Sequence, residues 1–414
     1  MTPLRVVVIG GGPAGLMAAG QAALAGAEVV VLEKMKTPGR KLSITGKGRC
    51  NLTNIAPLTE FLDHFGPNGR FLRQAFNRFF SEDLVSFLAD LGVDIKTERG
   101  GRVFPANDDA PSVAKALTQW VEQAGVRTKS EARVEKLLVA EGRVTGVRID
   151  GRDVPADAVI LATGGKSYPA TGSTGDGYSL AEEVGHTVMP VRPALVPLET
   201  TGDTAQRLQG LSLRNVKARI IESGKTRAEL TGEMLFTHFG LSGPIILTLS
   251  KTAVDAMSAG SQVTVSIDLK PGLDDKILDA RLLRDFGEHG KREFHTILKD
   301  LLPRKLILVC CDLTKIPADK LGHQITADER RRLRIWLKDF RFELSGHRGW
   351  AEAIVTAGGI CIKEIDPRTM ASRLIPNLYF AGEVIDVDGS TGGYNLQAAF
   401  STGWLAGRSA ACRG

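Results

Sequence analysis

The chain has 414 residues, of which 43% are hydrophobic and 24% are charged. Because that length exceeds what one hydrophobic core normally organises, we expect two or three domains. The composition is typical of a globular enzyme and excludes a disordered chain. The net charge of +6 favours anionic ligands, but it is too mild to require a nucleic-acid partner, and we predict none.

The cysteines and the hydropathy pattern indicate the cellular compartment of the protein. The five cysteines, Cys50, Cys310, Cys311, Cys361 and Cys412, show no CxxC or other metal-ligand spacing. Their odd number argues against a disulfide framework, so we expect a reducing cytoplasm and no metal site. A strand begins almost at the N-terminus, without the regions of a signal peptide. The sequence lacks the run of about 18 apolar residues that a membrane span needs.

The first 33 residues have the pattern of a βαβ unit. Leu4–Ile9 and Glu28–Leu32 are apolar runs typical of buried parallel strands, and Ala14–Ala25 between them is a helix of small residues. Glu33 follows the second strand, where its carboxylate can accept hydrogen bonds from ribose hydroxyls.

A GxGxxG motif, Gly10-Gly11-Gly12-Pro13-Ala14-Gly15, opens the helix of this unit. Gly10 permits a tight turn, Gly12 lets the backbone approach a pyrophosphate, and Gly15 lets the helix lie close to the strand. The helix N-terminus adds N–H donors and a positive dipole for the phosphates. The motif in this setting therefore predicts a dinucleotide site.

Two later segments favour FAD over NAD as that dinucleotide. The strand Ala158–Ala162 runs into Thr163-Gly164-Gly165, a turn typical of a chain that crosses back over an FAD site. The strand near Leu378 ends in Gly382 and Glu383, which suits the ribityl and pyrophosphate part of FAD. Gly392–Gln397 then opens the last helix, whose N-terminus can stabilise negative charge on a reduced flavin.

The middle of the chain reads as an insertion. We expect an N-terminal part of an α/β FAD-binding domain at 1–190, an insert at 191–350, and the C-terminal part of the FAD-binding domain at 351–414. Short strands predict a β-barrel over about 191–272, and helical patterns predict a helical part over about 273–345. In that helical part Leu333, Trp336, Leu337 and Phe340 share one predicted helix face.

Four segments resemble the BaiN/YhiN-type family of NAD(P)/FAD-dependent oxidoreductases. They are Gly39–Asn54 (GRKLSITGKGRCNLTN), Phe236–Pro244 (FTHFGLSGP), Glu352–Ile360 (EAIVTAGGI) and Leu378–Gln397 (LYFAGEVIDVDGSTGGYNLQ). The resemblance covers nearly the whole chain. It implies an α/β, FAD-binding Rossmann-like fold of the two-dinucleotide-binding-domain flavoproteins, with an inserted β-barrel plus helical domain. It also implies reduction of a conjugated C=C bond in a steroid-like ketone.

These motifs and the resemblance together predict the residues that bind FAD. We expect FAD to bind without a covalent link, because neither histidine nor cysteine follows Glu33 where a histidyl–flavin bond forms in related reductases. The single Cys50 argues against a dithiol relay and favours a buried structural thiol. The predicted cofactor-binding residues are Gly10, Gly12, Pro13, Ala14, Gly15, Glu33, Lys34, Gly39, Arg40, Lys41, Leu42, Gly48, Arg49, Cys50, Asn51, Val134, Ala162, Thr163, Gly164, Gly382, Glu383, Asp386, Gly392, Gly393, Tyr394, Asn395 and Leu396.

Two residues are candidates for catalysis. His238 lies in the Phe236–Pro244 segment and could donate a proton or contact substrate, although a structural role is equally open. Thr356 belongs to a segment that resembles the loop lying against the flavin in fumarate-reductase-like enzymes. Those enzymes carry a substrate-binding histidine just before the loop, where this chain has Ile354 and Val355, which argues against dicarboxylate reduction.

The expected function is an FAD-dependent oxidoreductase. Reduced NAD(P)H would deliver hydride to FAD, which would pass it to an organic acceptor. The sequence shows one dinucleotide fingerprint only, so the NAD(P)H donor is expected to bind transiently. Two alternatives remain open: an oxidase of a small amine, and a non-catalytic FAD-bound regulatory module.

Overall fold

The computed structural model describes residues 2–412 and divides them into two compact units. The first unit comprises the chain up to Pro193 together with the segment from Trp350 onward. The second unit is Ala194–Gly349. Each unit has its own cluster of buried apolar side chains.

The strands are numbered in chain order. They are β1 (Arg5–Ile9), β2 (Glu28–Leu32), β3 (Thr53–Asn54), β4 (Ile95–Glu98), β5 (Arg102–Pro105), β6 (Arg127–Lys129), β7 (Val134–Ala140), β8 (Arg143–Ile149), β9 (Arg152–Pro155), β10 (Ala158–Leu161), β11 (Val188–Ala194), β12 (Leu198–Thr200), β13 (Ser212–Glu222), β14 (Lys225–Phe236), β15 (Gly240–Ser242), β16 (Val263–Asp268), β17 (Phe340–His347), β18 (Val355–Ile360) and β19 (Leu378–Phe380).

The helices are numbered in the same way. They are α1 (Pro13–Leu24), α2 (Arg40–Ile44), α3 (Leu58–Asp63), α4 (Arg73–Arg78), α5 (Ser81–Asp90), α6 (Ala110–Gln123), α7 (Asp176–Glu182), α8 (Thr204–Arg207), α9 (Pro244–Ser258), α10 (Asp275–Glu288), α11 (Phe294–Ile297), α12 (Arg304–Thr314), α13 (Ala327–Lys338), α14 (Gly349–Glu352) and α15 (Tyr394–Ala410). Within residues 2–412 every helix is too short or too polar to cross a bilayer.

The first unit is built on a five-stranded sheet in the order β19-β10-β1-β2-β6. All its neighbouring strands run parallel, with Val8 paired to Ile160 on one side and to Val31 on the other. Continuous burial of Val6–Ile9 explains why the first strand is an unbroken apolar run. The predicted Rossmann-like α/β fold is therefore confirmed.

Two helices from opposite ends of the chain pack backbone to backbone beside this sheet. A Cβ atom on Gly403 of α15 would lie 2.3 Å from the Ala14 carbonyl oxygen of α1. One turn later, a Cβ atom on Gly407 would lie 2.2 Å from the Ala18 oxygen. Glycine at both positions lets α15 approach α1 more closely than any side chain would allow.

The second unit contains a closed six-stranded barrel in the order β12-β15-β14-β13-β16-β17. Helices α10 to α13 carry buried side chains such as Leu278, Leu306 and Leu333 in the same apolar cluster. The predicted architecture of the insert, a β-barrel with a helical part, is confirmed.

Two elements of the second unit correct the expected ranges. Pro244–Ser258 forms helix α9, although this range was expected to hold strands. The sequence signals of the helix are a proline at its first turn and the helical spacing of the buried residues Ile245, Leu249 and Ala253. Phe340 starts the last barrel strand and does not continue the helix before it. Phe340 and Phe342 are buried on alternate positions, a strand period that overrides the apparent helix face.

The contact between α15 and α1 predicts that an added methyl group at Gly403 destabilises the protein, whereas the same change at an open helical glycine does not. Gly403→Ala should lower the free energy of unfolding by about 1–3 kcal/mol, because the added methyl group meets backbone that cannot rotate away. Gly287→Ala, in α10, is the matched control: its Cβ would meet no atom within 4 Å. That change should stabilise its helix by up to about 1 kcal/mol. Denaturant unfolding measures both, and equal effects would contradict the close packing.

Candidate functional site

A large cavity lies at the carboxyl edge of the parallel sheet in the first unit. Strands β1, β10 and β19 all end there and lead into Gly10, Ala162 and Ala381, which line the cavity. The cavity holds about 1430 Å³, counting the space at its mouth. In open α/β sheets, ligands bind at this edge.

Most of the predicted cofactor-binding residues line this cavity, and the others lie outside its lining. The predicted residues that line it are Gly10, Gly12, Pro13, Ala14, Glu33, Lys34, Gly39, Arg40, Lys41, Leu42, Val134, Ala162, Thr163, Gly164, Gly382, Glu383, Asn395 and Leu396. The predicted residues absent from its lining are Gly15, Gly48, Arg49, Cys50, Asn51, Asp386, Gly392, Gly393, Tyr394, Thr356 and His238.

The glycine motif forms one wall of the cavity. Gly10 has φ +104°, and its N–H donates to the Leu32 oxygen at 2.9 Å, which continues the β1–β2 ladder up to the start of the turn. Gly12 has φ −79° and precedes α1 without a side-chain cap, and a Cβ atom there would meet no atom within 4 Å. By contrast, a Cβ atom on Gly15 would lie 1.9 Å from the Gly10 oxygen. Gly12 thus leaves an open cradle at a helix N-terminus, while Gly15 permits close packing.

Glu33 is held at the cavity wall by two backbone donors. Its carboxylate oxygens accept hydrogen bonds from the N–H groups of Gly11 and Met35, each at 2.8 Å. A carboxylate oxygen can accept more than one hydrogen bond. Glu33 therefore keeps acceptor capacity for ribose hydroxyls while its orientation is fixed.

Sequence reasoning missed a charged cluster next to Glu33. Asp176, at the start of α7, lies 2.8 Å from the Lys34 ammonium and 3.3 Å from the Arg133 guanidinium. Burial raises the pKa of Asp176, but the Lys34 hydrogen bond and charge outweigh it, so the pKa lies below its ordinary value. Asp176 follows a glycine at the head of a helix, and this pattern was the available signal.

A second charged network brings four distant segments together. The Lys41 ammonium donates to Glu383 at 2.7 Å and to the Ser167 hydroxyl at 2.6 Å. The other Glu383 oxygen accepts from the Ser167 hydroxyl and from the Thr356 N–H, each at 2.7 Å. Burial raises the pKa of Glu383, but the Lys41 charge and these hydrogen bonds outweigh it and hold the pKa below its ordinary value. Glu383 is therefore an oriented carboxylate anion.

Thr356 belongs to this network and not to the cavity lining. Its hydroxyl oxygen accepts the N–H groups of Lys166 at 2.8 Å and Ser167 at 3.1 Å, and its side chain is buried. The Thr356 hydroxyl thus positions the loop that carries Ser167, and its expected catalytic role stays a prediction.

The basic segment at 46–50 is framework. Arg49 forms ion pairs with Glu98 and Asp108 and lies 4.3 Å from the centre of the Phe104 ring. Cys50 is fully buried, and burial raises the pKa of its thiol to about 12. These contacts give both residues a packing role, and Gly48 lies in the same turn. The expected phosphate or flavin contact of this segment stays a prediction.

The start of α15 is anchored to this framework. With its amide oriented to satisfy both ends, Asn51 accepts the Gly393 N–H at 3.0 Å and donates to the Thr53 oxygen at 3.1 Å. A Cβ atom on Gly393 would lie 2.3 Å from the Thr53 oxygen. The Gly392 oxygen accepts from the Asn54 amide at 3.1 Å. Glycine at 393 therefore permits close approach to β3, and the expected approach of Gly392 and Gly393 to the flavin stays a prediction.

Three further expectations are refined by their contacts. Tyr394 is buried and stacks on His64 at 3.8 Å between ring centres. The Asn395 amide donates to the Gly389 and Ser390 oxygens at 2.8 and 3.3 Å, which anchors this loop. Asn395 also lines the cavity, and its predicted contact with the flavin edge stays a prediction. Asp386 accepts from the Asn68 amide outside the cavity lining.

His238 lies in the second unit, in the turn between β14 and β15. Its side chain is exposed and meets the Phe239 ring edge-on at 5.0 Å. Its role as a proton donor stays a prediction.

The network around Glu383 predicts a defined acid dependence of stability. Its folded pKa lies below the ordinary value of 4.5, so its stabilisation is present above pH 4.5 and is lost as pH falls through the folded pKa. The gap in unfolding free energy between wild type and Glu383→Gln should therefore narrow below pH 4.5. Glu122→Gln, at an exposed position of α6, controls for loss of one carboxylate. A gap that widens at acid pH would contradict the network.

Comparison with known proteins gives a consistent result. The family model described as "HI0933-like protein Rossmann domain" matches residues 4–409. A 3-dehydro-bile acid delta(4,6)-reductase of Clostridium scindens is 35% identical, over 99% of both chains. A ribosomal RNA dihydrouridine synthase of Escherichia coli is 34% identical, over 98% of this chain and 97% of the relative.

A solved structure supports the fold. The 3-ketosteroid-Δ4-(5α)-dehydrogenase of Rhodococcus jostii RHA1 has a TM-score of 0.55 and 17% identity, over 99% of this chain and 97% of the other. Fold, cavity and family agree on an FAD-binding Rossmann-type protein. The chain belongs to the HI0933-like family of FAD-dependent oxidoreductases.

Proposed function

We propose that this protein is an FAD-dependent reductase that saturates a C=C bond conjugated to a carbonyl group. The observation that carries the proposal is that two relatives, matched along at least 97% of their length, are named for different substrates with one shared chemistry. A 3-dehydro bile acid with a Δ4 double bond is an unsaturated ketone. In uridine, the C5=C6 bond is conjugated to the C4 carbonyl.

This reaction is a balanced two-electron reduction. The carbonyl withdraws electrons from the double bond, so the carbon β to it accepts hydride and the α carbon takes a proton. Bound FAD, once reduced, supplies the hydride. A proton donor and an oriented cofactor are what the protein must add.

The residues of the cavity fit FAD. The open cradle at Gly12 and the first turn of α1 would hold the pyrophosphate, since uncapped N–H groups at a helix N-terminus attract anions. Glu33 would accept the ribose hydroxyls, and Glu383 the hydroxyls of the ribityl chain. Lys41 and Ser167 keep Glu383 ionised and oriented. Apolar Leu42, Val355 and Leu396 in the lining would exclude water.

The proposed electron donor is NAD(P)H, which would bind only transiently because the sequence has one GxGxxG motif, already placed at the FAD cavity. All five cysteines are free thiols, which supports the proposal of a reducing, cytoplasmic setting.

Cofactor binding is tested most cleanly at Gly12. Its backbone is extended and its Cβ direction is open, so Gly12→Val should leave the melting temperature of the apoprotein unchanged while the valine fills the cradle. We expect FAD affinity to fall by at least about a hundredfold, since a blocked cradle removes two or more charge-assisted hydrogen bonds. Fluorescence titration of apoprotein with FAD measures this. Wild-type affinity in Gly12→Val would place FAD elsewhere.

The reaction class is tested by anaerobic reoxidation of the reduced holoprotein. A steroid 4-en-3-one, and separately a uridine-containing RNA, should be compared with the saturated 3-ketosteroid as matched control. We expect an unsaturated acceptor to restore the oxidised flavin spectrum and to gain two hydrogens by mass, while the saturated ketone does nothing. Flavin reduction by a small amine, with reoxidation by dioxygen alone, would instead establish the oxidase alternative.

A further inference from the structure

Nearly all of the net positive charge belongs to the second unit. Ala194–Gly349 contains 25 Lys and Arg against 20 Asp and Glu, a net charge of +5. The remainder of the chain has 28 basic and 27 acidic residues, a net charge of +1. A cofactor cavity in the first unit does not account for this segregation, which points to an anionic partner of the second unit.

The second unit has a cleft with cationic side chains in its wall. Ser212 and Arg214 of β13 line it, together with Leu269 and Lys270 after β16. The segment Leu301–Pro303 before α12 closes the other side. The cleft holds about 670 Å³, counting its mouth. It is therefore large enough for a phosphate group and adjacent atoms of a longer ligand.

Among residues 2–412, Lys270 has no anionic side-chain partner. The neighbouring carboxylate of Asp268 accepts the backbone N–H of Lys270 at 2.9 Å on one oxygen. Its other oxygen forms an ion pair with Lys338 at 2.6 Å, and Arg219 lies 3.8 Å from that oxygen. Across residues 2–412 no hydrogen bond or ion pair reaches the Lys270 ammonium, which is half-buried. Burial and the nearby Arg281 charge lower its pKa. An uncompensated ammonium in a cleft favours a bound anion.

Other cations surround the same cleft. Arg214 is 79% exposed and has Glu233 only at 3.8 Å. Arg304 and Lys305 directly follow the lining residue Pro303, and the Lys305 ammonium is bound to the Gln209 oxygen at 2.8 Å. Exposed Asp300 is the acidic residue nearest in sequence to the lining segment. The positive charges around the cleft exceed the negative ones.

We propose that this cleft binds a backbone phosphate of an RNA substrate through Lys270 and Arg214. The proposal deepens the proposed function by naming the acceptor as a uracil base within RNA. Arginine and lysine contacts to phosphates position a nucleic acid without reading its sequence. The cleft would thus supply affinity for the RNA backbone, while the conjugated C5=C6 bond of uracil supplies the reactive group.

The test is RNA binding by the FAD-loaded protein over a range of salt concentrations. A double variant, Lys270→Gln with Arg214→Gln, should bind a uridine-containing rRNA fragment at least about tenfold more weakly, since one charge-assisted hydrogen bond corresponds to about a decade. The slope of log affinity against log salt should also decrease by about one per lost phosphate contact. The melting temperature shows that the variant is folded.

The matched control is Arg227→Gln, which removes one cation from the same barrel at a position where Glu222 balances it at 2.5 Å. It should leave RNA affinity near that of wild type. Unchanged affinity and salt slope in the double variant would overturn the proposal, as would equal weakening by the control. If millimolar inorganic phosphate displaces the RNA, or if an anionic bile acid does so at a concentration near its own Kd, the ligand of the cleft is a small anion and the RNA proposal is also overturned.

Reoxidation of the reduced flavin by the steroid enone distinguishes a failure of the RNA inference from a failure of the reductase proposal. In the double variant it should stay at the wild-type rate, because neither changed side chain belongs to the cavity. If wild type reduces the enone but binds RNA no better than the variant, the RNA inference fails and the reductase proposal stands. If wild type binds RNA in the predicted way but reduces no conjugated acceptor, the reductase proposal fails.

Discussion

The close approach of helix α15 to helix α1 is the constraint on which the rest of the site depends. Only backbone separates the two helices at Gly403 and Gly407. The same approach brings Gly382 beside Ala14, where a Cβ atom on Gly382 would lie 2.7 Å from the Ala14 side chain. Segments almost 400 residues apart therefore form one cavity wall, and a larger side chain at any of these positions would separate them.

Charge pairing then fixes the polar side chains that the packing has brought together. An ion pair that is largely removed from water stabilises a fold only when its remaining hydrogen-bonding capacity is satisfied. The pair of Lys41 and Glu383 meets this condition through Ser167 and the Thr356 N–H. The network thus connects the segments after β2, after β10, at β18 and after β19. It holds an oriented carboxylate at the cavity.

The sequence predicted those parts of the fold in which local pattern and tertiary packing agree. The βαβ unit, the parallel sheet and the glycine turn were legible because buried parallel strands and a GxGxxG motif have short-range signatures. Phe340 was assigned to a helix because its spacing from Trp336 fits a helical face, whereas barrel packing selects the strand period of Phe340 and Phe342. A proline at the first turn of α9 was the overlooked helix signal.

In the site, sequence could identify the segments but not the direction of their side chains. Arg49, Asn51 and Asn395 lie in the most distinctive motifs, yet their polar atoms bind other protein groups. The partners of Arg49, Asp108 and Glu98, lie 59 and 49 residues away in the chain, so no local pattern reveals them. Asp176 and Arg133 were missed for the same reason.

The central claim is that both ends of the chain hold one FAD molecule in this cavity. Hydrogen exchange of apoprotein and FAD-loaded protein tests it most directly, because it follows backbone amides in every segment at once. We predict that FAD slows exchange of the amides that follow Gly10 and, in parallel, of those between Gly382 and Leu396. Protection confined to one of these two segments, or centred on the barrel of the second unit, would contradict the account.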